Sequence, residues 1–195
     1  MSLRILGLDI SKMSTGVAII DYDMEGIVIN KAELLLCPKD FVKVTTKDLE
    51  FTDFLYWYFQ IIHNTIRYDK IDIIAIEDLN IEYNRMAKVV LQLHAAVKIA
   101  SRQYNIDTIP IHNMTVKSIL KIGGKASRDP NIVKIAKKHK VKPIKVLTTD
   151  AVNMLLGQEF KYEENDIADA VSMAVAYLVK HKGVNIETIS HLRVK

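Results

Sequence analysis

Apolar residues near the start of the chain come in three short runs separated by polar turns. The runs cover residues 3–10, 16–21 and 27–36, and Gly26 lies in the turn before the third run. Apolar runs of this length joined by tight turns are typical of antiparallel strands. The pattern therefore predicts a three-stranded antiparallel meander.

Beyond this meander, helical and strand-like patterns alternate. Residues 48–68 repeat apolar side chains at helical spacing, whereas residues 71–76 are almost wholly apolar, as in a strand that is buried on both faces. A long helix is predicted over 85–104 and a further strand over 106–111. The order of these elements predicts an α/β fold, in which a mixed sheet of antiparallel and parallel strands has helices on both faces.

The second half of the chain is mainly helical in pattern. Asn113 and Asn165 are predicted to cap a short helix to residue 120 and a closing helix to about residue 181. Pro130 is a favourable first residue for a basic helix. Residues 141–164, which contain Pro143 and Gly157, are expected to form a loop with one short helix.

The length of 195 residues fits one domain, which we expect to cover residues 1–182, followed by a polar C-terminal tail over 183–195. No apolar run approaches the roughly 20 residues of a membrane helix, and the first residues do not have the pattern of a signal segment. Cys37 is the single cysteine, so an intrachain disulfide and a cysteine zinc site are excluded. We expect a cytoplasmic protein of a bacterial or phage-infected cell, without a membrane partner.

Positive charge is concentrated in one segment. Residues 121–145 contain nine Lys or Arg against one acidic residue, a net charge of +8, and the rest of the chain therefore carries −4 to give the total of +4. A basic segment beside acidic clusters is what a phosphate-binding surface next to a metal site requires. A solvated helical face is the alternative interpretation.

Four acidic residues stand at positions where a metal site could form. Asp9 lies near the end of the first strand, and Glu77 ends the apolar run at 71–76. Asp166 and Asp169 are three residues apart at the start of the closing helix, so they share one face. Each has an ordinary structural explanation by itself, as a turn residue, a strand-end residue or a helix-start residue. Together they could hold two divalent ions, and a site made only of carboxylates favours Mg²⁺, with Mn²⁺ as a substitute.

Several segments resemble the RuvC-type Holliday junction resolvases, which belong to the ribonuclease H-like superfamily. Residues 6–11 (LGLDIS) and 14–20 (STGVAII) resemble their opening hairpin, and residues 74–77 (IAIE) resemble their second acidic motif. Residues 165–171 (NDIADAV) are similar to their closing D-x-x-D-A helix. The stretch 116–125, with Lys117 and Lys125, looks like their lysine-bearing segment, and small resolvases of this kind are typical of phages.

The resemblance implies a ribonuclease H-like fold and a homodimer that binds a four-way DNA junction and nicks two opposing strands. It implies Asp9, Glu77, Asp166 and Asp169 as catalytic metal ligands, and it places Lys117 and Lys125 near the DNA phosphates. The chain departs from the family in two segments. Residues 141–164 are longer than usual, and residues 78–84 do not reproduce the base-wedging aromatic. In that loop Tyr83 is either the residue that stacks on a base or a packed loop tyrosine.

Further DNA contacts are predicted on the basic segment, at Arg128 and along one helical face formed by Lys134, Lys137 and Lys138. The helix over 85–104 is predicted to form the dimer interface, because its apolar residues occupy two sides. The predicted core side contains Met86, Val89, Val90, Leu93, Val97 and Ala100. The second side contains Ala87, Leu91, Ala95 and Ile99, and its burial within the monomer is the alternative.

Other functions compete with this interpretation. A ribonuclease H-like nuclease that acts on RNA–DNA hybrid or structured RNA would use a similar set of carboxylates. Actin-like or sugar-kinase ATPases have a phosphate loop similar to residues 9–16, but they need two such domains. A non-catalytic DNA-binding dimer would have no use for the complete set of carboxylates.

Overall fold

The three apolar runs at the start of the chain form three antiparallel strands in the structure, a computed structural model that describes residues 2–79 and 85–189. The strands are β1 (Leu3–Asp9), β2 (Ser14–Asp23) and β3 (Gly26–Leu36). β2 pairs with both of the others in antiparallel register. The predicted meander is confirmed.

Two parallel strands extend the sheet on the far side of β1. They are β4 (Ile73–Glu77) and β5 (Asp107–Ile111), and the strand order is β3-β2-β1-β4-β5. In the parallel pairing of β1 with β4, Leu8 is opposite Ile76. The next residue on each strand is acidic, so the register brings Asp9 and Glu77 to the same edge of the sheet.

Seven helices are found in the described part of the chain. They are α1 (Glu50–Asp69), α2 (Arg85–Gln103), α3 (Asn113–Ile119), α4 (Pro130–His139), α5 (Pro143–Leu156), α6 (Asn165–Lys182) and α7 (Ile186–Ile189). The apolar residues of α1 and α2 cover one face of the sheet, and those of α3, α5 and α6 cover the other. The predicted mixed α/β sheet with helices on both faces is confirmed, because both faces of its central strands are apolar.

Helix α6 occupies the centre of the second layer. It packs against β1 and β2, and most of its side chains are buried, which its small alanines at 168, 170, 174 and 176 permit. Beyond α6, Val184 and Ile189 also join this core. Among the described residues, no helix has both the length and the apolar character needed to cross a bilayer.

The segment 141–164 differs from the prediction of a loop with one short helix. Most of it is α5, a helix of 14 residues that begins at Pro143 and is followed by Gly157 in the left-handed conformation, with φ of 60°. Proline at the first helical position and glycine just past the last one are normal boundary signals of a helix. The two residues interpreted as breakers are therefore the start and stop of one helix.

Two of the predicted caps are displaced by one residue. The cap of α3 is His112, whose ring nitrogen accepts a hydrogen bond from the backbone of Met114. Glu164 precedes α6, and Asn165 is its first residue. The predicted start of α4 at Pro130 is confirmed, and Asp129 caps it by accepting the backbone N–H of Asn131.

Candidate active site at the end of the central strands

The first two acidic residues reach the site on neighbouring parallel strands. Asp9 ends β1 and Glu77 ends β4, which lies beside β1 at the middle of the sheet. The side chain of Asp9 is only 15% exposed. A carboxylate in such a position needs a cationic partner, because an isolated buried charge is costly.

Asp166 and Asp169 lie on α6, whose backbone is in direct contact with the backbones of β1 and β2. A β-carbon built on Gly16 would lie 1.8 Å from the carbonyl oxygen of Asp166, and one on Gly7 would lie 2.1 Å from that of Ala170. Only glycine permits this approach, so the first turns of α6 rest on the backbones of β1 and β2. The hydroxyl of Ser14 also donates a hydrogen bond of 2.6 Å to the carboxylate of Asp166.

As a result, three carboxylates form a compact cluster, which we call the aspartate cluster: Asp9, Asp166 and Asp169. One oxygen of each lies within 4.8 Å of an oxygen of the other two. Their side chains are 15%, 26% and 16% exposed, so the cluster is largely buried but open on one side. Carboxylate oxygens alone are the donors that Mg²⁺ and Mn²⁺ prefer, so the cluster fits a hard divalent cation.

Glu77 stands beside the aspartate cluster and is not one of the three groups that converge most closely. The side-chain amide of Asn113, at the start of α3, donates a hydrogen bond to its carboxylate. Burial raises the pKa of Glu77, the negative charge of Asp9 raises it further, and the positive charges of Lys145 and Lys117 oppose the shift. Glu77 is therefore close enough to share the electrostatics of the cluster.

A lysine that was not predicted as a site residue lies within the aspartate cluster. The ammonium of Lys145 forms an ion pair with Asp169 and lies 3.4 Å from an oxygen of Asp9 and 3.4 Å from one of Asp166. Burial alone would lower the pKa of Lys145, but the carboxylates of Asp9 and Asp169 outweigh it, and the net pKa is raised. Lys145 is thus held in its charged form.

The sequence does contain a signal for Lys145. It lies in the first turn of α5 and shares a face with the buried residues Thr149, Val152 and Leu156, which follow it at intervals of four, three and four. A lysine on the buried face of an amphipathic helix needs an anionic partner. Because residues 141–164 were not predicted to form one long helix, the pattern did not reveal that Lys145 lies on the buried face of a helix.

The electrostatics of the aspartate cluster shift the pKa values of Asp9 and Asp169. Burial raises the pKa of Asp9 to about 7, with the negative charges of Asp169 and Asp166 adding to the shift and Lys145 opposing it. Burial likewise raises the pKa of Asp169. Neighbouring carboxylates repel one another when all are ionised. A cation therefore stabilises the ionised form of the cluster.

The two lysines of the segment 116–125 occupy different positions. Lys117 is on α3, near enough to Glu77 to influence its pKa. It also lines a cavity of about 350 Å³ together with Gly123, Gly124 and Ile144, the neighbour of Lys145. Lys125 is exposed just before a single 3-10 turn that ends at Arg128, which is exposed as well.

The predicted basic face forms as a continuous exposed surface of α4. Lys134, Lys137 and Lys138 are all exposed, whereas Ala136 on the opposite side is buried. α4 packs on α5 and supplies no side chain to the aspartate cluster. Tyr83, predicted to stack on a base or to pack in its loop, lies outside the described residues.

Helix α2 shows the two sides predicted for it. Val89, Leu93, Val97 and Ala100 are buried, while Leu91 is 45% and Ile99 is 57% exposed. Ala95 is also exposed. Burial of Leu91, Ala95 and Ile99 within the monomer is therefore excluded, and their stripe remains open to a partner. Met86 and Ala87 belong to the segment whose side chains are not described.

The sheet order, the two helical layers and the strand-end carboxylates define the class of protein, an α/β protein with a ribonuclease H-like fold of RuvC type. The structure of RuvC from T. thermophilus in complex with a Holliday junction substrate matches this chain with a TM-score of 0.68 and 13% identity, over 95% of this chain and 98% of that one. A second structure of Thermus thermophilus RuvC matches with a TM-score of 0.66 and 15% identity, over 94% and 97% of the two chains.

The mitochondrial Holliday junction resolvase Ydc2 of yeast is also similar, with a TM-score of 0.54 and 12% identity, over 97% of this chain and 84% of that one. No protein-family model matches the sequence, and no curated protein matches it by sequence. The predicted resemblance to the RuvC-type fold is thus confirmed at the level of structure.

Proposed function

We propose that this protein is a metal-dependent endonuclease that cleaves four-way (Holliday) or other branched DNA junctions. One observation carries the proposal: the aspartate cluster, open on one side, lies at the end of the central strands of a RuvC-type fold. The similar structures support the choice of substrate, because one is RuvC with a Holliday junction and another is a Holliday junction resolvase.

The proposed cofactor is Mg²⁺, as two ions, with Mn²⁺ able to substitute. Asp9, Asp166 and Asp169 would hold one ion between them, and Glu77, beside Asp9, would contribute to the second. When bound, two such ions stabilise the attacking and the leaving oxygen of a phosphodiester. The four carboxylates would supply the negative charge that binds these ions and fix their position on strands and a helix rather than on loops.

The predicted DNA-binding residues would contact different phosphates of the substrate. The charge of Lys117 acts on Glu77, and Lys117 would hold the phosphate to be cut. Lys125 and Arg128 are exposed on the adjoining turn and would hold neighbouring phosphates. The exposed face of Lys134, Lys137 and Lys138 on α4 would contact an arm of a branched substrate. Such contacts position DNA without reading its sequence.

We further propose a homodimer built on α2. The exposed stripe of Leu91, Ala95 and Ile99 would pack against its copy, and a cavity of about 480 Å³ that Leu91 and Ala95 share with Glu77 links this surface to the site. A two-fold dimer presents two identical sites, as paired nicks across a nearly two-fold junction require. We propose that the nuclease domain covers residues 1–182 together with the segment of Val184 and Ile189, which pack in its core, and we expect it to act inside the cell, where its DNA substrate lies.

One set of cleavage reactions tests the proposal. Labelled four-way junction, flap, duplex and RNA–DNA hybrid are incubated with the protein in Mg²⁺ and in EDTA, with Asp169→Asn as the inactive control. We expect paired, symmetrical nicks in the junction that require Mg²⁺ and are absent from the variant. Preferential cutting of the RNA–DNA hybrid would indicate a ribonuclease H activity instead of junction resolution. Equal cutting in EDTA would exclude a metal-dependent reaction.

A further inference from the structure

The ammonium of Lys145 contacts the same three carboxylates that fit a divalent cation. Within the described residues, it pairs with Asp169 and lies 3.4 Å from oxygens of both Asp9 and Asp166. No other cationic side chain makes an ion pair with these three carboxylates in the described part of the chain. The aspartate cluster thus has an internal counter-charge that belongs to the protein.

The Lys145 ammonium and a divalent metal ion would repel each other if both were bound to the aspartate cluster. A divalent ion held by the three aspartates would lie within a few ångströms of the Lys145 ammonium, and like charges at that distance repel strongly where solvent is largely excluded. The charges of the site lead to the same conclusion. The three carboxylates of the cluster and that of Glu77 carry four negative charges, which two divalent ions would neutralise. An ammonium that stayed in place would then add one unbalanced positive charge.

We propose that Lys145 is a built-in counter-cation of the aspartate cluster, and that binding of a divalent metal requires its ammonium to leave Asp169. This inference rests on the proposed metal-dependent function and concerns the regulation of the same site. Lys145 stabilises the cluster electrostatically while no metal is bound and competes with the metal for the same oxygens. Metal affinity is therefore set partly by a residue that is not itself a ligand.

A cavity close to the start of α5 offers a place for the displaced ammonium. Its neighbour Ile144 lines the cavity that also contains Lys117, Gly123 and Gly124, on the side proposed to receive the DNA phosphate. Lysine has a long stem with several rotatable bonds, so its head can move while α5 stays in place. If the ammonium of Lys145 turns toward this cavity, a phosphate bound there would pair with it and leave the carboxylates to the metal. DNA and metal would then bind cooperatively, each raising the affinity for the other.

The first experiment uses the native protein and a lysine-acylating reagent, with modification followed by mass spectrometry. In EDTA the ammonium of Lys145 is paired and should react slowly. Addition of Mn²⁺ should increase its modification severalfold, while Lys142, exposed just before the same helix, should react at the same rate in both conditions. Modification of Lys145 that stays equal or decreases with Mn²⁺ would overturn the inference.

The second experiment measures Mn²⁺ binding by calorimetry and the melting temperature in EDTA for Lys145→Met, with Lys142→Met as the matched control. Loss of the competing charge should strengthen Mn²⁺ binding by at least roughly tenfold, the size of effect that one neighbouring charge has on a carboxylate equilibrium. The same variant should melt at a lower temperature in EDTA. Lys145→Arg, which keeps the charge, should restore the native melting temperature.

These outcomes separate this inference from the proposed function. Equal or weaker Mn²⁺ binding by Lys145→Met would overturn the role of Lys145 and leave the metal site intact. Failure of both proteins to bind Mn²⁺ would overturn the metal site and the role of Lys145 together. The acylation experiment needs no variant, so the inference remains testable if Lys145→Met does not fold.

Discussion

Gly16 and Asp166 touch through their backbones, although 150 residues separate them in sequence. A β-carbon on Gly16 would lie 1.8 Å from the Asp166 carbonyl oxygen, a distance at which the helix must move away from the strand. The neighbouring hydrogen bond from Ser14 to the Asp166 carboxylate depends on the same approach. The position of Asp166 and Asp169 relative to Asp9 therefore depends on the absence of a side chain at Gly16, as it does at Gly7.

The first prediction concerns this contact. Gly16→Ala should destabilise the fold by about 1–3 kcal/mol, the usual cost of overpacking, and should reduce Mn²⁺ affinity because Asp166 is displaced. Urea unfolding and calorimetry measure the two effects. Gly183→Ala is the control, since a β-carbon there meets no atom within 4 Å and φ of 66° adds strain only. If Gly16→Ala binds Mn²⁺ like the native protein, the contact does not position the carboxylate.

A second prediction separates cutting from binding. Asp9→Asn and Asp169→Asn should abolish cleavage while leaving junction affinity within a few-fold of native, because asparagine keeps the shape and removes the charge that holds the cation. Binding rests mainly on lysine and arginine contacts to phosphate. Cleavage gels in Mg²⁺ and binding titrations in EDTA, where no metal contributes to junction affinity, give both values, and full activity in Asp169→Asn would exclude the metal site.

The pKa of Asp9 predicts a pH dependence of metal binding. Burial raises this pKa to about 7, so below pH 7 a cation must displace a proton from Asp9. Mn²⁺ affinity should fall about tenfold for each pH unit below 7 through this group and should level off above it. Asp166→Asn, which retains Asp9, should keep the slope, whereas Asp9→Asn, whose remaining carboxylates bind Mn²⁺ more weakly, should lose the part of the slope that Asp9 contributes. An equal slope in Asp9→Asn would assign the titration to another group.

The raised pKa of Asp9 also affects the free energy of unfolding in EDTA. Metal affinity rises with pH through this group, whereas stability without metal falls. The folded pKa of Asp9 lies above its ordinary value of 3.8, so the folded state holds this proton more tightly than the unfolded state does. The contribution of Asp9 to stability therefore falls as the pH rises from about 4 to 7. Asn removes the titration, so the stability of Asp9→Asn relative to native should increase over that range and then stay constant. Urea unfolding of both proteins at several pH values measures this difference.

Much of this site can be predicted from sequence, because strand ends and helix starts are local features. Asp9, Glu77, Asp166 and Asp169 stand at such positions, and the structure brings the three aspartates together. Lys145 could not be predicted in the same way, since its role depends on α5 being one continuous helix. The contact of Gly16 with Asp166 could not be predicted either, because a glycine in a strand gives no information on which distant backbone approaches it.

A further prediction concerns the basic face of α4. Replacement of Lys134, Lys137 and Lys138 by Ala should reduce the dependence of junction binding on salt, by roughly 0.9 in log–log slope for each phosphate contact that is lost. Lys180→Ala with Lys182→Ala, at the opposite end of α6 from the carboxylates, is the control and should leave the slope unchanged. An unchanged slope in the triple variant would show that its lysines are only a solvated face.

The last prediction concerns the dimer. Leu91→Glu with Ala95→Glu places four like charges at an isologous interface, so the variant should sediment as a folded monomer and lose paired nicking. Tyr56→Glu, at an exposed position of α1, is the control and should remain dimeric. Native protein that sediments as a monomer at micromolar concentration, even with junction DNA bound, would contradict a dimer on α2.

The arrangement of β1 and α6 has a consequence for how the protein is made. β1, which supplies Asp9, precedes α6, which carries Asp166 and Asp169, by more than 150 residues in the chain and is therefore synthesised first. Contacts between segments so distant in sequence form late in folding, because closing a long loop costs conformational entropy. A partly synthesised chain thus has half of the acidic residues and no aspartate cluster. If the protein cleaves DNA as proposed, a nascent chain is therefore inactive until synthesis of α6 is complete.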